Sequence, residues 1–145
     1  MGSNIDQDAA DATAARARYR AAGPETIPPD PAVRHVLAPG ERLIARRCRA
    51  FVERRHPGVD ARPTGDLYVT SERLILVGRN ALSIALAEIE DAAVIADRVV
   101  LLLTGGAVLA IEAERPRLLR VQIAAARAGR DRDESGLETT QRSPR

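Results

Sequence analysis

Alternating hydrophobic and polar positions run through the middle of the chain, and they are clearest in residues 65–79. One face of the first arm carries Leu67 and Val69, and the other carries Asp66, Tyr68 and Thr70. This alternation is the period of a half-buried strand. Residues 74–77 are apolar on both faces, and the small or polar residues 70–73 before them favour a turn. The pattern predicts a β-hairpin.

Short strands are predicted on both sides of this hairpin, at residues 43–52, 81–87, 92–96, 99–103 and 107–113. In the first of them, arginines fall on both faces of the alternation, which predicts a bulge or an early end. Residues 53–64 are predicted as a loop, residues 88–91 as a break, and the paired glycines 105 and 106 as a tight turn.

Three helical segments are predicted around these strands. Residues 6–22 are rich in Ala, with acidic residues early and basic residues late, but they have so few large apolar side chains that we expect weak packing or partial formation. Asp30 can cap a short helix over residues 30–37. Residues 116–128 form an amphipathic helix that ends at Gly129 and is expected to cap an open end of the sheet.

The 145 residues are enough for one domain of ordinary size. Residues 1–29 are predicted to be an N-terminal helix and a proline-rich linker, partly disordered. Residues 30–129 form the domain, and the charged residues 130–145 form a disordered tail.

Every basic residue except the two histidines is Arg, and the formal net charge is only +2. The charge is uneven, because residues 31–64 contain eight Arg against three acidic residues, a local charge of +5. Only 2% of residues are aromatic, so stacking of nucleic-acid bases is disfavoured and nucleic acid ranks last among the partners considered.

The chain has one cysteine, Cys48, so it forms no internal disulfide, and we expect this residue to be a small core side chain. His35 and His56 lack neighbours at metal-ligand spacing, so no metal or other cofactor is expected. The sequence contains no pair of acidic residues and no Ser/His/Asp or Cys/His set that would indicate catalysis. Without an apolar run of about 20 residues or a signal peptide, a cytoplasmic protein is expected.

Three stretches in a fixed order resemble the PH-like superfamily: residues 37–41 with their Pro-Gly-Glu start, the Gly-x-Leu-x-hydrophobic-Thr-x-x-Arg-Leu hairpin at residues 65–74, and residues 84–89. The resemblance is closest to GRAM and bacterial PH domains and covers residues 37–128. It implies a bent, seven-stranded antiparallel partial barrel, mainly β, with a capping C-terminal helix. The predicted N-terminal helix is an addition to that fold.

The resemblance implies a non-catalytic binding or adaptor module. Basic residues on the first strand and the following loop hold lipid headgroups in PH domains, and the corresponding residues here are Arg46, Arg47, Arg49, Arg54, Arg55 and Arg62, with His56 beside them. Gly65, Leu67, Thr70 and Arg73 match the hairpin motif, in which Arg73 is expected to hold a loop in place rather than bind a ligand.

Two partner classes follow from this reading. The first is anionic phospholipid at the cytoplasmic face of a membrane, which the basic stretch favours. The alternative is a protein partner, or a second copy of the chain, bound in a groove between helix and sheet or along a strand edge.

Overall fold

A computed structural model describes residues 3–55, 63–79 and 81–141. Three helices and a short 3-10 turn surround seven strands in these ranges. Their bounds are α1 Ser3–Ala22, α2 Pro31–Arg34, β1 Leu43–Arg55, β2 Thr64–Thr70, β3 Arg73–Gly78, β4 Leu82–Ala85, the 3-10 turn Leu86–Glu88, β5 Ile89–Ile95, β6 Arg98–Leu103, β7 Val108–Glu112 and α3 Pro116–Gln141.

The strands form one antiparallel open sheet, with the order β4-β3-β2-β1-β7-β6-β5 across the described residues. Each strand contributes apolar side chains to a single core, and α3 closes this core with Leu119, Ile123 and Ala126. A sheet whose strands all face one core must bend around it. The predicted seven-stranded, bent antiparallel sheet with a C-terminal helix is confirmed.

β1 is the long central strand, and it changes partner along its length. Its first part pairs with β2, its last part pairs with β7, and Phe51 is opposite both Thr64 and Glu112. The register shifts between Arg47 and Ala50, where the backbone of Arg49 takes a positive φ of 56°. This is the bulge that the arginine pattern predicted. β1 runs beyond the predicted end at Val52 because β7 supplies its partner there.

The predicted central hairpin consists of β2 and β3. Leu67 and Val69 lie in the main core, as their alternation predicted. Tyr68, on the opposite face, is fully buried as well, because α2 packs over it with Val33. Gly65 and Gly78 are opposite each other, and a Cβ at residue 65 would lie 2.2 Å from the carbonyl oxygen of Val77. The two strands approach this closely only because both positions lack a side chain.

α2 begins where its capping residue predicted, although it is shorter than the predicted range. Asp30 accepts hydrogen bonds from the backbone N–H groups of Ala32 at 3.0 Å and Val33 at 3.2 Å. The predicted break at residues 88–91 is also shorter than expected. The 3-10 turn ends at Glu88, and β5 begins directly at Ile89, whose side chain enters the core.

α1 packs on α3, contrary to the predicted weak packing. Ala12 and Ala15 are buried against Leu118 and Val121 of α3, so the contact uses small side chains rather than a large apolar stripe. Asp8, also buried, accepts hydrogen bonds from the first turn of α3. Small residues let two helices approach closely, which a search for large apolar side chains does not detect.

α3 continues past the predicted end at Ala128. Gly129 is absent from the glycines with positive φ among the described residues, so it does not make the left-handed turn that ends many helices. Residues 130–141, predicted as a disordered tail, are helical, and residues 142–145 lie outside the described residues.

Candidate functional site

Two of the hairpin motif residues, Thr70 and Arg73, contact one buried carboxylate, that of Glu41. Glu41 Oε2 accepts hydrogen bonds from Thr70 Oγ1 at 2.6 Å and from Arg73 Nε at 3.0 Å. Glu41 Oε1 accepts from Arg73 Nη2 at 3.1 Å and from the backbone N–H of Ala38 at 2.9 Å. Arg73 Nη2 also donates to the carbonyl of Val36 at 2.6 Å. Arg73 thus links the chain before β1 to the β2–β3 turn.

The same contacts set the charge state of Glu41. Burial alone would raise the pKa of its carboxyl, but the hydrogen bonds from Arg73, Thr70 and Ala38 outweigh burial and lower that pKa below its usual value. The hydrogen bonds that Arg73 donates to Glu41 raise the pKa of Arg73 in turn. The hydrogen bonds of this pair are made within the chain and join the segment before β1 to the β2–β3 turn.

Arg46 is exposed, but its guanidinium already forms ion pairs with two carboxylates. Its guanidinium lies 3.1 Å from Asp30 and 3.1 Å from Asp66, and 5.7 Å from the ring centre of Tyr68. The Tyr68 hydroxyl donates to Asp30 at 2.9 Å, and burial followed by this hydrogen bond raises the pKa of Tyr68 to about 12. Arg46 therefore holds α2 on the sheet, and two acidic groups offset its charge.

Arg47 is buried and is not available to a headgroup. Its guanidinium donates to Gln122 Oε1 at 2.7 Å, to the carbonyl of Glu114 at 2.9 Å and to the carbonyl of Arg46 at 3.0 Å. Burial, with a smaller contribution from the charge of Arg115, lowers the pKa of Arg47 to about 10. The side chain connects β1 to α3. Arg47 is opposite Leu67, whose side chain lies in the core, so it points to the same inner face of the sheet.

Arg49 and Arg54 are exposed, and neither guanidinium has a hydrogen bond or ion pair to any described residue. The side chain of Arg55, and the whole of His56 and Arg62, lie outside the described residues. Cys48 is exposed, so its prediction as a core residue is wrong. Arg47 is opposite the core residue Leu67, so in an alternating strand the next residue, Cys48, points to the other face.

The comparisons with known proteins show the fold. The N-terminal PH domain of Vps36 is similar to this chain with a TM-score of 0.51 and 16% sequence identity, over 68% of this chain and 86% of that chain. The chain has a PH-like fold. The C-terminal domain of an unknown protein from Leishmania infantum is similar with a TM-score of 0.43 and 16% identity, over 68% of this chain and 90% of that chain. No family model and no curated protein matches.

The PH-like domain has a second basic surface, which the sequence reading missed. α1 and α3 enclose an open groove of about 840 Å³, lined by four arginines and by apolar residues that include Tyr19, Pro24 and Ala125. Its arginines are Arg16, Arg20, Arg120 and Arg132. The only signal in the sequence was the spacing of Arg16 and Arg20, which are four residues apart and so share a helix face.

Two further observations bear on the chemistry of this PH-like domain. Within the described ranges, no group of three or more His, Cys, Asp or Glu side chains could hold a metal ion. No helix in the described part of the chain is long and apolar enough to cross a membrane.

Proposed function

We propose that this PH-like domain is a non-catalytic binding module that docks on anionic phospholipid at the cytoplasmic face of a membrane. The observation that carries the proposal is the outer part of β1, where the guanidiniums of Arg49 and Arg54 are exposed and unpaired among the described residues. Phe51 lies between them in sequence with 49% of its surface exposed.

Exposed cations and an exposed aromatic ring are the groups that an anionic lipid surface attracts. Each cation close to an anionic leaflet gains about 1 kcal/mol, and an exposed aromatic ring gains further by leaving water for the headgroup region. Arg55 continues the strand in sequence and Arg62 lies in the segment after it, so both stay in the proposed set. Arg47 leaves the set because it is buried, and Arg46 contributes little because Asp30 and Asp66 offset its charge.

The protein-binding alternative has less support at the β5 edge of the sheet. β5 is an outer strand, but its carbonyl groups at Ala92 and Glu90 accept hydrogen bonds from Arg120 and Arg127 of α3. A strand added at this edge would have to displace both arginines. A second copy of the chain would meet the same obstacle at β5.

We also propose that, within the PH-like fold, the nearest relatives are GRAM and bacterial PH domains. The support is the Pro-Gly-Glu start and the Thr-x-x-Arg hairpin, whose residues Glu41, Thr70 and Arg73 are joined by hydrogen bonds. An experimental structure in which Arg73 does not contact Glu41 would remove that support.

Co-sedimentation with vesicles tests the membrane proposal. The full chain should bind vesicles of phosphatidylcholine mixed with phosphatidylserine, and not phosphatidylcholine alone, with binding that falls as salt is raised. The double variant R49E/R54E should weaken this binding by at least about tenfold.

The charge-matched control is R16E/R20E, which changes the net charge equally on a different surface. It should retain most of the binding. Equal loss in both variants would mean that only the net charge matters, and absence of salt-sensitive binding by the unaltered chain would refute the proposal.

A further inference from the structure

We propose that the groove between α1 and α3 binds an acidic amphipathic helix of a partner protein. This site lies on a different surface from the β1 arginines and does not depend on lipid binding. α1 is one of its two walls, so the groove exists only because α1 is docked on α3 through Asp8, Ala12 and Ala15.

Among the described residues, the lining of the groove has four positively charged side chains and no acidic side chain. Arg16, Arg20 and Arg132 have no hydrogen bond or ion pair to the described part of the chain, and Arg120 uses only its Nε, which donates to the carbonyl of Ala92. Arg18, on the same helix, is by contrast paired with Glu25 at 2.9 Å. Like charges facing a shared space repel, so a negatively charged occupant gains free energy.

The rest of the lining is apolar and consists of Tyr19, Pro24, Val121, Ala124, Ala125 and Ala128. Val121 is only 5% exposed because it packs against Ala12 and Ala15 of α1, whereas Ala124 and Ala128 are exposed. A planar bilayer fits poorly into a groove between two helices, whereas the side chains of a narrow segment can enter it. The occupant therefore has an apolar face towards the apolar lining and acidic groups towards the arginines.

The length and the walls of the groove favour a helical occupant. A second hollow of about 400 Å³ shares Arg16 and Arg120 and extends the surface to Ala9. From Ala9 to Arg20, α1 rises about 16 Å, which matches roughly three turns of helix. No strand in the described part of the chain lines the 840 Å³ groove, so an extended peptide bound there would find no strand edge to pair with, whereas a helix satisfies its own backbone. The smaller hollow is also lined by Ala93 and Val94 of β5.

Fluorescence anisotropy with designed peptides tests this inference. The probes are labelled 15-residue helices with Glu on one face and Ala, Leu or Phe on the other, titrated with the full chain without lipid. At least one of the three should bind saturably, and the same peptide with Lys in place of Glu should bind at least tenfold more weakly.

Matched variants locate the binding. R16E/R20E should weaken it at least tenfold, whereas R18E, on the same helix but paired with Glu25, should have less than a threefold effect. Ala124→Trp should block the groove without changing charge, and Ala17→Trp, on an exposed part of α1, should not. Circular dichroism checks that each variant is folded.

The inference is overturned if none of the three acidic helices binds, if R18E weakens binding as much as R16E/R20E, or if the Lys peptide binds equally well. Binding of anionic vesicles that is lost in R16E/R20E and kept in R49E/R54E would also overturn it, because the groove would then be a lipid site. If R49E/R54E loses vesicle binding and R16E/R20E keeps it, lipid and peptide bind at different surfaces, and the peptide result does not depend on the membrane proposal.

Discussion

The carboxylate of Asp8 accepts a hydrogen bond of 3.0 Å from the backbone N–H of Leu118, and its second oxygen accepts one of 2.8 Å from Arg117. The first turn of a helix has N–H groups with no partner inside the helix, and a carboxylate there also meets the positive end of the helix dipole. Asp8 thus caps α3 from a helix more than 100 residues earlier in the chain.

Replacing Asp8 with Ala should lower the free energy of unfolding by about 1–2 kcal/mol, the usual cost of a lost N-terminal cap. Asp6 is the control, because it is exposed on the same helix, and Asp6→Ala should change stability by less than about 0.5 kcal/mol. Urea denaturation measures both. Equal effects of the two substitutions would contradict a capping role for Asp8.

Glu41 should make stability depend on acid pH. An unfolded Glu takes up its proton near pH 4.3, roughly, whereas the folded carboxyl does so at lower pH because its pKa is lowered. The stabilisation is therefore fully present above the unfolded pKa and is lost as pH falls through the folded pKa. Glu41→Gln should cost about 2–3 kcal/mol at pH 7, because it weakens hydrogen bonds to a charged group, and the difference should shrink below about pH 4.

Thermal unfolding measured at several pH values between 7 and 3 tests this prediction for Glu41→Gln. Glu112→Gln, at an exposed strand position, serves as the control and should give a nearly constant difference from the unaltered chain. A Glu41→Gln difference that stays constant across the same range would show that the carboxylate charge contributes nothing.

Arg47 and Gln122 should behave as a coupled pair, because Arg47 Nη2 donates to Gln122 Oε1 at 2.7 Å inside the structure. Arg47→Ala should cost about 2–4 kcal/mol, since it leaves buried acceptors without their donor. Arg54→Ala, at an exposed position on the same strand, should cost less than about 0.5 kcal/mol. In a double-mutant cycle with Gln122→Ala, additive effects would rule out the coupling.

Two glycine-to-alanine substitutions should have opposite signs. Gly65→Ala places a Cβ against the carbonyl of Val77, so the hairpin must separate and the stability should fall by more than about 2 kcal/mol. Gly129→Ala meets no atom within 4 Å and lies inside α3, so it should raise stability by about 0.5–1 kcal/mol. Melting temperatures that fall equally in both variants would contradict these assignments.

The sequence predicted the elements whose pattern is local. Leu67 and Val69 alternate with polar neighbours, so the hairpin and its inner face could be predicted without knowledge of the rest of the chain. Asp30 likewise marked the start of α2, because its capping bonds reach only two and three residues along the chain. Local spacing is sufficient wherever the partners are neighbours in sequence.

The remaining features depend on contacts between distant residues. The burial of Arg47 follows from its place opposite Leu67 on the inner face of the sheet and from Gln122, 75 residues away, whereas arginine in general is expected to be exposed. The docking of α1 depends on alanines, which carry little hydrophobic signal. The arginine groove also requires the docking of α1, because Arg16 and Arg120 line the same groove only when α1 lies on α3.

The most direct test of the membrane proposal is an NMR titration of the isotope-labelled full chain with anionic and with neutral lipid bicelles. Shifts or line broadening in residues 49–54, produced by the anionic bicelles and weakened by added salt, are the predicted result. An unchanged spectrum, or changes confined to α1 and α3, would contradict docking through the β1 arginines.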